Sequence, residues 1–374
     1  MNGNAQKLIK YMDGASKRFV IPVYQRNYDW KMEHCKQLYD DLVKVVRQNR
    51  KSHFFGSIVS VQNESGTMEE FLIIDGQQRL TTISLLLLAV YHLLQKGKAV
   101  SQDRQLPEKI LKKYLIDEYE PEEKRIKLKP IKNDQKAFGV LFETDEEHIP
   151  DSNLTINYQY FYERIQRDEL TVDELFDAVC RLEIINISLN HEDNPQLIFE
   201  SLNSTGLDLS EGDKIRNYIL MGLETERQNK FYEKYWNRIE EFTGYEVSSF
   251  IRDYLSVKQQ TTPNVNGVYT AFKRYVEDGA GRDVELLLKD LLDYAKRYAI
   301  LLKGSSVDER LNGCIYRLNR LSTTVTRPFF LEALRLREGN IITSDGLYEI
   351  FQTTENYIFR RLICDLPTNA LNKI

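Results

Sequence analysis

The chain has 374 residues, 42% hydrophobic and 29% charged, with a formal net charge of −5. This composition excludes a disordered or fibrous protein, and the length is about twice that of a usual single domain, so two packed units are expected. The low totals of 9 Pro and 18 Gly favour helix.

The longest apolar run, Ile83 to Leu94, contains Ser84 and His92 and is too short to cross a bilayer. Met1 to Gly14 lacks the basic-then-apolar pattern of a signal peptide, so a cytoplasmic address is expected, without a membrane partner. Cys35, Cys180, Cys314 and Cys364 show no CxxC spacing, and the histidines form no HxxxH or HExxH pair, so neither a disulfide framework nor a zinc site is predicted. The cysteines read as ordinary buried thiols, and His92 reads as a satisfied core histidine. The net charge neither demands nor excludes nucleic acid, because binding follows where basic residues cluster.

In chain order, Phe19-Val20-Ile21 reads as a short strand ended by Pro22. Val23 to Trp30 follows as an extended or irregular loop, and Met32 to Val46 carries apolar residues at helical spacing. Phe54 to Val61 and Phe71 to Ile74 predict a hairpin turned by Asn63-Glu64-Ser65-Gly66. Leu80 to Leu94, apolar almost all round, predicts a central buried helix. Lys124 to Lys129 can add a strand, and Leu182 to Leu189 predicts a buried one. From Pro195 the pattern is helical, with breaks at Gly206, Gly244, Pro263, Gly279 to Gly281, Gly304 and Gly339. The fold class is therefore α+β, with an α+β unit over 1–190 and a mostly helical unit over 191–374.

The most informative stretch is Ile73-Ile74-Asp75-Gly76-Gln77-Gln78-Arg79-Leu80-Thr81-Thr82. It sets a glycine and a cation where a strand meets a helix start, at which unpaired N–H groups and the helix dipole favour phosphate. Gly76 would let a phosphate approach the backbone, Arg79 can grip two oxygens, and Asp75 can hold a magnesium ion riding on the phosphates. The plainer account is that Asp75 caps the helix and Gly76 turns the chain. In the preceding loop Trp30 reads as core, whereas Gln25 and Arg26, polar between aromatic neighbours, suit a nucleotide or DNA pocket.

Ile21-Pro22-Val23-Tyr24-Gln25-Arg26-Asn27-Tyr28-Asp29-Trp30, then Phe55-Gly56-Ser57-Ile58, then Asp75 to Thr82 resemble, in that order, the N-terminal domain of GmrSD-type, modification-dependent DNA restriction proteins. The resemblance implies a ParB/sulfiredoxin-like fold whose phosphate-holding GxxR turn maps onto Gly76 and Arg79. It places the Tyr24, Gln25 and Arg26 loop beside that turn, with Gln77, Gln78 and Thr81 in the same nucleotide-contacting set. Phe199 to Asn217 resembles a second signature of the family. Ser210 reads there as a helix cap, while Asn203, Asp213 and Asn217 are expected to close the site, Asp213 as a candidate for metal or water positioning. Arg310, Arg317 and Arg320 share one helix flank that suits a DNA backbone, although such flanks are more often simply solvated; the stretch Lys124 to Lys136 is read in the same way.

No GxxxxGKS/T, GxSxG or kinase signature occurs. In the family a segment like Arg360 to Ile374 leads into an HNH-type nuclease domain, and the sequence stops there, so that nuclease is expected to be trimmed off or on a separate polypeptide. The resulting expectation is a magnesium-dependent NTPase (GTP or ATP) with Asp75, Arg79 and Asp213 stabilising charge on the phosphoryl group. It would serve a phage-defence restriction system, with modified DNA and an HNH-type nuclease as partners, self-association being left open. The alternative is a non-enzymatic module that recognises modified DNA.

Overall fold

The computed structural model describes residues 2–65, 68–143, 147–190, 193, 195–196, 198, 209–281, 283–306 and 308–366. The chain divides into two compact units, Met1–Gly206 and Leu207–Ile374.

The first unit is built on a six-stranded mixed sheet of order β1-β6-β3-β4-β2-β5. Its strands are β1 (Asn2–Lys7), β2 (Lys17–Val20), β3 (His53–Ser65), β4 (Met68–Asp75), β5 (Leu128–Lys129) and β6 (Leu182–Leu189). The β3–β4 and β1–β6 pairs are antiparallel, whereas β3–β6, β2–β4 and β2–β5 are parallel. The hairpin is longer than its sequence pattern predicts. Asn63, Glu64 and Ser65 pair with Glu70, Glu69 and Met68 in the ladder instead of turning the chain, because main-chain hydrogen bonds build an antiparallel ladder from polar residues as well as apolar ones.

The helices are α1 (Leu8–Met12), α2 (Met32–Arg47), α3 (Gln77–Gln95), α4 (Leu106–Ile110), α5 (Lys132–Gly139), α6 (Asn153–Ile165) and α7 (Val172–Cys180). As its composition requires, α3 is central: Leu80, Ile83 and Leu85 to Leu88 are buried in one cluster with Ile58, Ile73 and Ile184 of the sheet and with Leu38 and Leu42 of α2. His92 is buried on its far end, with Nδ1 2.7 Å from the Tyr158 hydroxyl, and burial pulls its pKa down to about 4. Of the cysteines, Cys35 and Cys314 are buried thiols, Cys180 is half-buried and Cys364 is exposed, so the reading as buried thiols fails for the last.

The described part of the second unit is helical, with long helices at Val247–Gln259, Val284–Lys303, Arg327–Glu338 and Ser344–Ile363. Trp236, Phe250, Tyr254, Phe272, Tyr298 and Phe351 are fully buried in it, and Phe330 stacks on Phe351 with centroids 3.9 Å apart. Gly304 ends one helix in the left-handed conformation that glycine adopts freely. The predicted break at Gly206 lies outside the described residues.

Candidate functional site

The strand-to-helix junction forms because β4 cannot continue past Gly76. This residue has φ +92°, serves as the N-cap of α3, and offers no side chain to the first amides of the helix. A Cβ on it would stand 2.9 Å from the Ser57 carbonyl oxygen and 3.0 Å from Ile58 Cγ1. Glycine is therefore demanded twice, by backbone conformation and by the close passage of β3.

Arg79, one turn into α3, reaches back over β3. Its Nη1 donates to the Ser57 carbonyl at 2.8 Å and stands 3.5 Å from Asp75 Oδ2. Nε and Nη2 have no partner among the described residues, and the side chains of Arg79 and Asp75 keep 29% and 26% exposure. Arg164 shows what a fully matched arginine looks like in this protein: it meets Glu169 at 2.7 and 2.8 Å and Asp40 at 2.9 Å. The charge on Arg79 has no such match.

The loop before α2 is fastened to this junction by amide side chains. Where β4 slips register against β3, from Val59↔Asp75 to Ser60↔Ile73, the Ile74 carbonyl accepts from Gln25 Nε2 at 2.8 Å. Gln77 donates to Gln25 Oε1 at 3.2 Å. Gln78 Oε1 accepts from the amides of Asp29 (2.9 Å) and Trp30 (3.2 Å), and its Nε2 donates to the Asn27 carbonyl at 3.1 Å. In this structure the amides of Gln25, Gln77 and Gln78 are thus engaged within the protein. Tyr24 is buried, and burial raises its hydroxyl pKa well above the ordinary value. Trp30 is half-buried and stacks on His34, with centroids 5.5 Å apart.

On the flank of α3 that carries Gln77, Gln78 and Thr81 lies a tight crevice with no room for a water molecule, completed by Ile21, Arg26, Tyr28, Pro130, Ile131, Asp134 and Leu154. Arg26 approaches Asp29 at 3.8 Å. Thr82 and Ser84 return their hydroxyls to the carbonyls of Gln78 and Leu80, at 2.8 and 3.0 Å. The buried Thr81 hydroxyl makes no such bond to a described residue. Asp134 was not foreseen. Its Oδ2 accepts from the Tyr28 amide at 2.6 Å, while burial pushes its carboxyl up to about 6. No sequence signal marked it, because its burial depends on the contact between α5 and the Tyr28 loop.

Residues 8–220 match a family model described as the GmrSD restriction endonuclease, N-terminal domain. The chain belongs to this family. No curated protein matches the chain. Membership makes the protein part of a DNA restriction system.

The GmrSD match runs on into Glu211–Leu220, so Asp213 and Asn217 fall inside it, whereas Arg310, Arg317 and Arg320 fall beyond it. Ser210 caps this helix as expected, accepting from the Asp213 amide at 3.1 Å. Asp213 is an ion-pair partner: its Oδ1 lies 2.6 Å from Arg216 Nη2, and Arg216 also meets Glu240 at 2.5 Å. Asn217 is buried, and its Oδ1 has no hydrogen-bond partner among the described residues. Asn203 lies outside the described residues. On the helix Glu309–Arg320, Arg310 pairs with Asp308 (2.8 Å) and Asp345 (2.9 Å), and Arg317 with Glu355 (2.5 and 2.9 Å). Arg320 lies over the Tyr316 ring. Among the described residues no group of three His, Cys, Asp or Glu is placed to hold a metal ion.

Proposed function

We propose that this GmrSD N-terminal domain binds a nucleoside triphosphate at the β4–α3 junction and hydrolyses it with magnesium, acting as the sensor that licenses an HNH-type nuclease on foreign or modified DNA. The observation that carries the reading is Arg79. It sits at the start of a 19-residue helix that no side chain caps, with Nη1 on the Ser57 carbonyl and 3.5 Å from Asp75, while Nε and Nη2 have no partner among the described residues. A phosphate chain would engage the two nitrogens of this fork that the long contact with Asp75 leaves open.

Magnesium fits the residues present only as an ion shared with phosphate. Asp75 offers one carboxylate beside Arg79, and magnesium is commonly held by one or two carboxylates plus phosphate oxygens and water. When bound, it would neutralise charge on the phosphates. Arg79 would stabilise charge on the transferring phosphoryl group. The restriction family supports DNA and a nuclease as partners.

Phosphate release by purified protein, with GTP or ATP and with or without DNA, tests the reading. Turnover is expected, and Arg79→Ala should abolish nucleotide binding in calorimetry while leaving the melting transition in place. Nucleotide binding without phosphate release would instead assign the pocket to non-enzymatic sensing. Unchanged affinity in Arg79→Ala, or collapse of its fold, would make Arg79 structural.

A further inference from the structure

Gly56 has a geometry that its place in a strand does not explain. It follows a bulge in β3, where pairing passes from Phe54↔Glu183 to Gly56↔Ile184 and skips Phe55. Its φ is +120°, and a Cβ built on it would stand 2.6 Å from Arg79 Nε, 2.9 Å from Cζ and 3.2 Å from Cδ. The guanidinium of Arg79 therefore occupies the space that any other residue at position 56 would fill with its own side chain. From there Nη1 reaches the carbonyl of the next residue, Ser57, at 2.8 Å.

We infer that Gly56 is a positioning residue for anion binding: the bulge and the missing side chain make a seat that fixes the Arg79 fork against the β3 backbone, ready for a multiply charged oxyanion such as a phosphate chain. The inference rests on the phosphate role proposed above for Arg79 and adds how the fork is held. A guanidinium grips two oxygens only when its plane is correctly set, so a seat that fixes the plane beforehand removes the ordering cost from binding. Asp75, the acid that the described residues place beside Arg79, stands 3.5 Å off; a shorter pair would hold the fork against the protein and match the charge that the ligand is to meet. The strand bulge is thus tied to the site on α3, although Gly56 touches no ligand itself.

The test is a double-mutant cycle with Gly56→Ala and Arg79→Lys, read by calorimetry with inorganic triphosphate, GTP and ATP in magnesium. Gly56→Ala should weaken triphosphate binding by about tenfold, the worth of one charged hydrogen bond. Arg79→Lys, which keeps the charge and loses the plane, should do the same, and the double variant should match Arg79→Lys within about twofold. Additive losses, or wild-type affinity in Gly56→Ala, would overturn the inference. Should Gly56→Ala fail to fold because of its positive φ, Arg79→Lys alone decides: affinity equal to wild type would show that no planar seat is needed. Melting curves supply the arm that does not depend on ligand. Gly56→Ala should lower the melting temperature more beside Arg79 than in an Arg79→Ala background, where the close contact is gone. Equal losses would remove the seat. A wild-type protein that binds none of the three probes, yet shows this coupling in its melting, would overturn the nucleotide reading and the ligand class named here while leaving the seat of Arg79 standing.

Discussion

At Gly76 two constraints meet that a substitution would violate together. Gly76→Ala must hold an alanine at φ +92° and push its Cβ into the Ser57 carbonyl. The expected loss is about 1–3 kcal/mol in urea unfolding, from strain alone. Arg216 is buried between Asp213 and Glu240, so Arg216→Ala would remove the cation from both carboxylates and should cost about 3 kcal/mol. Asp213→Asn should likewise lower the melting temperature, by breaking one arm of that pair. A variant that melts as wild type but loses turnover would return Asp213 to a catalytic role. Asp253 is a third case, because burial pushes its carboxyl up to about 7 while Arg327 and Arg252 pull the other way. Its folded value lies above its unfolded value, so folding takes up a proton between them and stability falls as pH rises from about 4 to about 7. Asp253→Asn should melt with wild type at pH 4 and gain on the order of 2–4 kcal/mol over it at pH 8. Parallel pH curves for the two proteins would show that Asp253 does not titrate in that window.

Among the elements, the loop from Pro22 to Lys31 owes its shape to partners distant in sequence. Gln78 alone receives the amides of Asp29 and Trp30 and holds the Asn27 carbonyl, so Gln78→Ala should release the loop, and hydrogen exchange at those two amides should rise first. The sequence marks Gln25, Gln77 and Gln78 as polar residues needing partners, but the Ile74 carbonyl that Gln25 meets is presented by the register slip there, which no local pattern announces. Periodicity was sufficient for α2, α3 and β6, whose bounds follow the apolar spacing closely. It was not sufficient for β1, whose Asn-Gly-Asn-Ala-Gln-Lys has little strand propensity and is held by pairing with β6. The arginine flank on Glu309–Arg320 was legible as a helix face, but its pairing with Asp345 and Glu355 belongs to the packing of the later helix Ser344–Ile363. Neutralising Arg310, Arg317 and Arg320 together should weaken DNA binding and flatten its salt dependence only if those pairs open on contact with DNA. Binding curves identical to wild type across a salt series would leave the flank as solvated surface.

At the scale of the whole molecule, our proposal assigns DNA cleavage to a nuclease partner and not to this chain. Metal-assisted phosphodiester cleavage needs carboxylates and imidazoles gathered around an ion, and the described residues contain no such group. Incubated with plasmid or modified phage DNA, divalent metal and NTP, the pure chain should leave both substrates intact on a gel. Nicking that co-purifies with the protein and disappears in an Asp75 variant would make this domain itself the nuclease.

The sheet order also governs how the protein is made. β6 lies between β1 and β3, with Asn2 opposite Ser188 and Lys7 opposite Glu183. A ribosome adding about 5–20 residues per second needs roughly ten to forty seconds to travel from the first strand to its partner. Through that interval β1 has no neighbour and one side of β3 is an open edge, the kind of surface that pairs with whatever strand is nearest. Until β6 is made, β1 laid directly against β3 would be the competing pairing that the sheet order leaves open.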